Sequence, residues 1–177
     1  MKLHLGCGRR YIPGFVHIDA MEFPHVDYVQ AIDRLDNIQD NSVDLIYVCH
    51  VLEHFKRGEV KSVLQEWYRV IRPGGLIRIS VPDFRALAEL YVQMGRLDLV
   101  VGPVCGRQDH QYNVHYNIFD FSAIKELLES VGFQNIALYD WQTTEHADID
   151  DFSQAYIPHM DKENGRLISL NVEAIKP

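Results

Sequence analysis

Lys2-Leu3-His4-Leu5-Gly6-Cys7-Gly8-Arg9-Arg10-Tyr11-Ile12-Pro13-Gly14-Phe15-Val16-His17-Ile18-Asp19 is the stretch on which the fold turns. Lys2–Leu5 reads as a short strand that runs into a glycine turn, and residues 15–19 as a second strand ending on a carboxylate. Glycine after a strand lets backbone approach a ligand closely, and open α/β sheets bind ligands beyond the carboxyl ends of their strands. A dinucleotide fingerprint needs a third glycine, a helix N-terminus for the pyrophosphate and an acid about 20 residues on. Here the third glycine is missing, and Pro13-Gly14 would end any helix begun in the short link 9–14. Without a helix there is little dipole to receive a diphosphate. The turn therefore suits a ligand that carries a ribose but no phosphates. Asp19 can accept from two ribose hydroxyls, and Asp33, one strand further, from an amine such as adenine N6.

Outward from that stretch the chain alternates strands and helices. Residues 26–32 read as a third strand, and Val43–Cys49 as a nearly continuous apolar one, the pattern of a strand buried on both faces. Residues 59–71 place Val60, Val63, Leu64, Trp67, Val70 and Ile71 on one helical face, stopped by Pro73-Gly74-Gly75. A strand over 76–81 follows, then a helix with Asp83 as N-cap and Gly95 as C-cap. Residues 95–118 read as irregular, rich in Gly, His, Tyr and Asn. A last helix over 121–131 ends at Gly132, and strands follow over 135–141 and 167–175. In the final strand apolar and polar residues alternate, which predicts one exposed face. The pattern predicts an α/β fold, a doubly wound and mostly parallel sheet with helices on both faces and an antiparallel last strand.

The 177 residues fit one domain, with a polar excursion over 142–166 read as a lid or an interface segment. Within it Phe152, Tyr156, Ile157 and Met160 have the spacing of a short amphipathic helix, and Asp148, Asp150 and Asp151 read as a solvated acidic loop. No apolar run approaches the roughly 20 residues of a membrane span. The N-terminus lacks a signal-peptide pattern, so a cytoplasmic location is expected. A net charge of −8 disfavours nucleic acid as a partner, because phosphate contacts call for a basic footprint. Cys7, Cys49 and Cys105 are too few and too widely spaced for a disulfide framework or a zinc ribbon, and read as reduced thiols.

Several strings carry a family resemblance. They are Leu3-His4-Leu5-Gly6-Cys7-Gly8, then Asp19, then Val43-Asp44-Leu45-Ile46-Tyr47-Val48-Cys49-His50-Val51-Leu52-Glu53-His54-Phe55, then Trp67-Tyr68-Arg69-Val70-Ile71-Arg72-Pro73-Gly74-Gly75-Leu76-Ile77-Arg78-Ile79-Ser80-Val81-Pro82. Together they resemble the class I S-adenosylmethionine (SAM)-dependent methyltransferases of the small, type 11-like kind, a group typified by ubiquinone- and sugar-modifying enzymes. Arg-Val-Ile-Arg-Pro-Gly-Gly is the most specific of these motifs. The resemblance implies a Rossmann-like fold, SAM as cofactor, and a cofactor site at Gly6, Cys7, Gly8, Asp19 and His50, with Asp33 or Leu35 beside the adenine. The nearly absent first helix departs from the family pattern at the methionine pocket, where Arg9 and Tyr11 can supply part of the wall.

Methyl transfer to oxygen needs an acceptor placed in line about 3 Å from the methyl, and a base. Among nine histidines, His110 and His115 lie in a dense polar segment on the acceptor side, and either is read as the base or as an acceptor-binding group. His50, Glu53 and His54 fall at i, i+3 and i+4 and share a face if that turn is helical. Some relatives bind Mg²⁺ there through Glu-x-x-Glu-His. With His50 in place of the first Glu, a transition metal would fit better than Mg²⁺, and the expectation is that no metal is held. The function expected is methyl transfer from SAM to a small-molecule or sugar/glycan-precursor acceptor, at oxygen, with a homodimer among the expected assemblies. The alternatives are a non-catalytic SAM- or nucleotide-binding scaffold subunit and a nicotinamide-dependent oxidoreductase.

Overall fold

The computed structural model describes residues 1–159 and 161–177. Its centre is a seven-stranded sheet of β1 (Lys2–Leu5), β2 (Val16–Asp19), β3 (Tyr28–Val29), β4 (Val43–Cys49), β5 (Ile71–Pro82), β6 (Gln134–Leu138) and β9 (Ser169–Ile175), in the order β3-β2-β1-β4-β5-β9-β6. The first five strands are mutually parallel, and β9 runs antiparallel between β5 and β6. The expected mixed α/β sheet with an antiparallel finish is present. Among the described residues no helix is long and apolar enough to cross a membrane.

One face of the sheet is apolar. Leu3, Leu5, Ile18, Ile46, Val48, Ile77, Ile79 and Val172 form a single core with residues of α1 (Val60–Val70) and α4 (Phe121–Val131). Trp67 is wholly buried at the centre of the α1 face, and its indole N–H donates to the Ile32 carbonyl at 2.8 Å. The same helix straps down the link between β3 and β4, which has no helix of its own. Glu66 accepts from the Leu35 amide at 2.7 Å, and Arg69 donates to the carbonyls of Leu35 and Ile38.

The other face is polar and covered differently. His4, His17, Tyr47, Ser80, Ser169 and Asn171 are all buried there. Parallel neighbours are ordinarily joined through a helix, but β1 and β2 are joined by residues 6–15, which lay Ile12 and Phe15 against Leu45 and Tyr47. The rest of the cover comes from the excursion between β6 and β9, whose 3-10 turn Phe152–Gln154 buries Ser153 and Gln154. Tyr47 donates to Asp151 at 2.6 Å, Asn171 Nδ2 to the Ser153 carbonyl at 2.9 Å, and Arg78 bridges Glu173 and Glu145.

Several local expectations are corrected. The third strand is only two residues long, because Tyr28 and Val29 lie on the exposed edge of the sheet. Pro73-Gly74-Gly75 do not merely stop α1; they lie within β5. The stretch read as irregular contains α3 (Leu97–Cys105), with Pro103 near its end, packed beside α2 (Phe84–Met94) around Leu87, Leu90, Val100 and Ile168. The final strand is not open along one face: Ser169 and Asn171 are buried, with Asn171 bonded to Ser153 of the excursion, while the partly exposed Glu173 pairs with Arg78. Asp151 is buried, whereas Asp148 and Asp150 are exposed. Phe152, Tyr156 and Ile157 share no amphipathic helix: Phe152 opens the 3-10 turn, and β7 (Tyr156–Ile157) pairs with β8 (Arg166–Leu167) as a small antiparallel ribbon. Met160, the fourth member of that spacing, lies outside the described residues.

Candidate active site

The carboxyl ends of β1, β2 and β4 converge on the glycine turn. Gly6 and Gly8 have φ of 64° and 52°, left-handed values that favour glycine. Gly6 is required on a second ground: a Cβ there would stand 2.4 Å from Val51 Cγ2. Nothing lies within 4 Å of a Cβ built on Gly8, so that side of the turn is open.

Asp19 ties the two strand ends together. Its Oδ2 accepts from the Gly8 amide at 2.7 Å and its Oδ1 from the Met21 amide at 2.8 Å. It is 8% exposed. A carboxylate has about four lone-pair directions, so each oxygen retains one for a hydroxyl. Beside it, Arg9, Phe23, Pro24 and His25 line an open, shallow depression. Sequence pattern had not singled out Phe23, Pro24 and His25, because they lie in a link with no periodicity to read.

The other expected cofactor residues are placed as follows. Cys7 is buried, with Sγ 3.8 Å from His25 Nε2. Burial, and then the nearby Asp19 charge, push its thiol up to about 12, so it is inert as a nucleophile. Asp33 is exposed. The Leu35 side chain is wholly buried in the main core, and offers a ligand no surface. His50 leaves β4 with φ of 53°, its Nε2 3.2 Å from Ser169 Oγ and its ring 5.3 Å from that of Phe152. Burial and the neighbouring His115 and His54 push it down to about 3, so it is neutral near pH 7.

A second group gathers just beyond His50. The 3-10 turn Leu52–His54 turns Glu53 into the interior, where it is fully buried with neither carboxyl oxygen hydrogen-bonded and His50 Nδ1 3.5 Å from Oε1. Burial pushes its carboxyl up to about 8. The loop after α3 closes over it. The Tyr116 amide donates to the Glu53 carbonyl at 2.9 Å and Asn117 Nδ2 to the Phe55 carbonyl at 2.5 Å. This brings His115 Nε2 to 4.0 Å from Glu53 Oε1, and the His115 ring to 4.8 Å from that of His54. His110, by contrast, stands half exposed at the loop's tip beside Asp109. The two expected acceptor-side histidines thus share one loop but occupy different environments.

Residues 11–79 match the model of a family described as a methyltransferase domain. No curated protein matches the sequence. Three solved structures share the fold over 99% of this chain. One is a SAM-dependent methyltransferase from Archaeoglobus fulgidus, 18% identical, with 85% of its length covered and a TM-score of 0.59. Another is a SAM-dependent methyltransferase from Thermotoga maritima, 15% identical, 81% covered, with a TM-score of 0.62. The third is 1,6-didemethyltoxoflavin-N1-methyltransferase from Burkholderia thailandensis with bound 1,6-didemethyltoxoflavin and S-adenosylhomocysteine, 18% identical, 70% covered, with a TM-score of 0.60. Residues 11–79 thus carry a methyltransferase-domain pattern, and the chain as a whole shares the fold of these SAM-dependent methyltransferase structures.

Proposed function

We propose that this chain transfers the methyl group of SAM to a hydroxyl oxygen of a small-molecule or sugar-type acceptor. The observation that carries the reading is Asp19. It is a nearly buried carboxylate at the end of β2, held by the amides of Gly8 and Met21 with lone pairs to spare, beside an open glycine turn. In this reading Asp19 receives the ribose hydroxyls, and residues 6–8 pass along the methionine portion. Asp33 stands toward the adenine, the amide and carbonyl of Leu35 being already taken by Glu66, Arg69 and Ile38, and neutral His50 faces the sulfonium without repelling it. SAM supplies a methyl carbon already activated toward displacement. What the chain adds is placement in line and removal of the acceptor's proton.

The acceptor side belongs to the loop after α3. His115 is anchored, and its buried ring binds and orients the acceptor. His110, at the loop's tip, takes the hydroxyl proton. The test is incubation with SAM labelled in the methyl group and a panel of hydroxylated small molecules and sugar derivatives, with product mass spectrometry locating the methyl. Label on an acceptor oxygen supports the reading. SAM binding without turnover across the panel would favour a scaffold role instead.

A further inference from the structure

We propose that Ser169 and Asn171 are positioning residues that lock His50 in the neutral tautomer with its hydrogen on Nε2, and so tie the methyl-transfer site to the excursion between β6 and β9. The hydrogens run in one direction. The Ser153 carbonyl has none to give, so the group facing it at 2.9 Å is the Asn171 amide nitrogen, Nδ2. The Asn171 oxygen, Oδ1, is then the atom turned to Ser169 Oγ, at 3.1 Å. It too only accepts, so the Ser169 hydroxyl places its single hydrogen there. Ser169 Oγ is left to accept from His50 Nε2, 3.2 Å away. His50 Nε2 therefore carries a hydrogen, and in a neutral ring Nδ1 then has none.

Every link is shielded from water. Ser153, Ser169 and Asn171 are buried, so solvent does not replace a broken bond, and a buried polar group left unpaired costs more than the bond contributes. The outer end is fixed as well. Ser153 donates through its amide and its hydroxyl to Asp151, which Tyr47 also holds. At the inner end the His50 amide donates to the Ser80 carbonyl at 2.8 Å, where the backbone leaves β4 in the left-handed region. Phe152, between Asp151 and Ser153, sets its ring 5.3 Å from the His50 ring. The excursion thus reaches the imidazole by a hydrogen-bonded chain and by a ring contact.

The lock decides what His50 can do. Its Nε2 is engaged by Ser169, and its bare Nδ1 lies 3.5 Å from Glu53 Oε1, inside the protein. Neither nitrogen is free to take a proton from an acceptor. His50 is then a fixed, neutral wall, and the base is sought on the loop after α3. That this wall borders the sulfonium, and that its orientation governs turnover, rests on the methyl-transfer reading; the tautomer does not.

The test is a long-range proton–nitrogen NMR spectrum of the full chain, labelled with ¹⁵N in its histidine rings, at neutral pH without SAM. His50→Gln identifies the His50 signals. A single neutral tautomer with the hydrogen on Nε2 is expected. Ser169→Ala and Asn171→Ala should each turn it into a mixture of tautomers while the other histidine signals stay in place. Ser169→Thr, which keeps the hydroxyl, should retain the single form. With SAM and a hydroxylated acceptor, both alanine variants should lower kcat about tenfold with an unchanged SAM dissociation constant, the scale of one hydrogen bond. A hydrogen on Nδ1, a mixture of tautomers or an imidazolium in the native chain overturns the proposal. An unchanged His50 signal in both alanine variants also overturns it. If a variant melts early, the native spectrum decides. Failed methyl transfer leaves a demonstrated tautomer standing, and the wrong tautomer leaves methyl transfer standing.

Discussion

Tyr47 on β4 donates its phenolic hydrogen to Asp151, 104 residues later, at 2.6 Å, and both side chains are buried. This bond pins the excursion between β6 and β9 onto the sheet face that has no helix between β1 and β2. Asp151 also accepts from the Ser153 amide and hydroxyl, so its two oxygens are shared between the turn and the sheet. Tyr47→Phe should lower stability by about 1–2 kcal/mol, the cost of leaving a buried acceptor short of one partner. Hydrogen exchange in residues 141–155 should rise more than in α1 or α4. Uniform exchange across the chain would show that the bond does not anchor the excursion.

The glycine turn gives a paired prediction. Gly6→Ala combines a left-handed φ with a collision against Val51, and should cost about 2–3 kcal/mol. Gly8→Ala meets no atom and should cost about 1 kcal/mol from backbone strain alone. Chemical denaturation of the two variants checks the order. Val51→Ala in the Gly6→Ala background should recover part of the loss.

Asp19→Ala should weaken SAM binding by about 1–3 kcal/mol, the range for polar groups left unpaired. Calorimetry with SAM and with S-adenosylhomocysteine measures it. Affinity equal to that of the native chain would remove the ribose from Asp19.

His115→Ala and His110→Ala should both reduce turnover while leaving SAM affinity within about a factor of two. General base contributions are typically about 10²–10⁴-fold. Single-turnover rates at saturating SAM check this, and a rise in the SAM dissociation constant in either variant would move that residue to the cofactor side.

His4 sets an acid limit. Burial, and then the charges that His17, His146 and His25 would carry, push its imidazole down to about 3 from 6.5. Its ring also packs against those of Tyr47 and Phe15. Between these two values the unfolded chain binds a proton that the folded chain refuses, so stability falls as pH falls through that window. The slope approaches about 1.4 kcal/mol per pH unit for one such group. His4→Leu should flatten the loss measured by thermal melts between pH 6.5 and pH 4. A slope identical to that of the native chain would show that other groups control acid unfolding.

What the sequence determined by itself was the frame. Val43–Cys49 as a buried strand, α1 from the 3.6-residue spacing of Val60, Val63, Leu64 and Trp67, and caps at Asp83, Gly95 and Gly132 all follow from local rules that act within a few residues. The glycine turn and Asp19 were also legible, because strand ends in a parallel sheet fall on one edge. Only the tertiary structure decided what lies across the second face. The alternation of Ser169, Asn171 and Glu173 reads as exposure when each residue is judged by its own polarity, yet Ser169 and Asn171 are buried against the excursion. Likewise His115 lies some 60 residues after Glu53 and His54, and periodicity carries no information over that distance. Their meeting depends on the Tyr116 and Asn117 bonds that fold one loop onto another, an interaction written in three dimensions and in no local pattern.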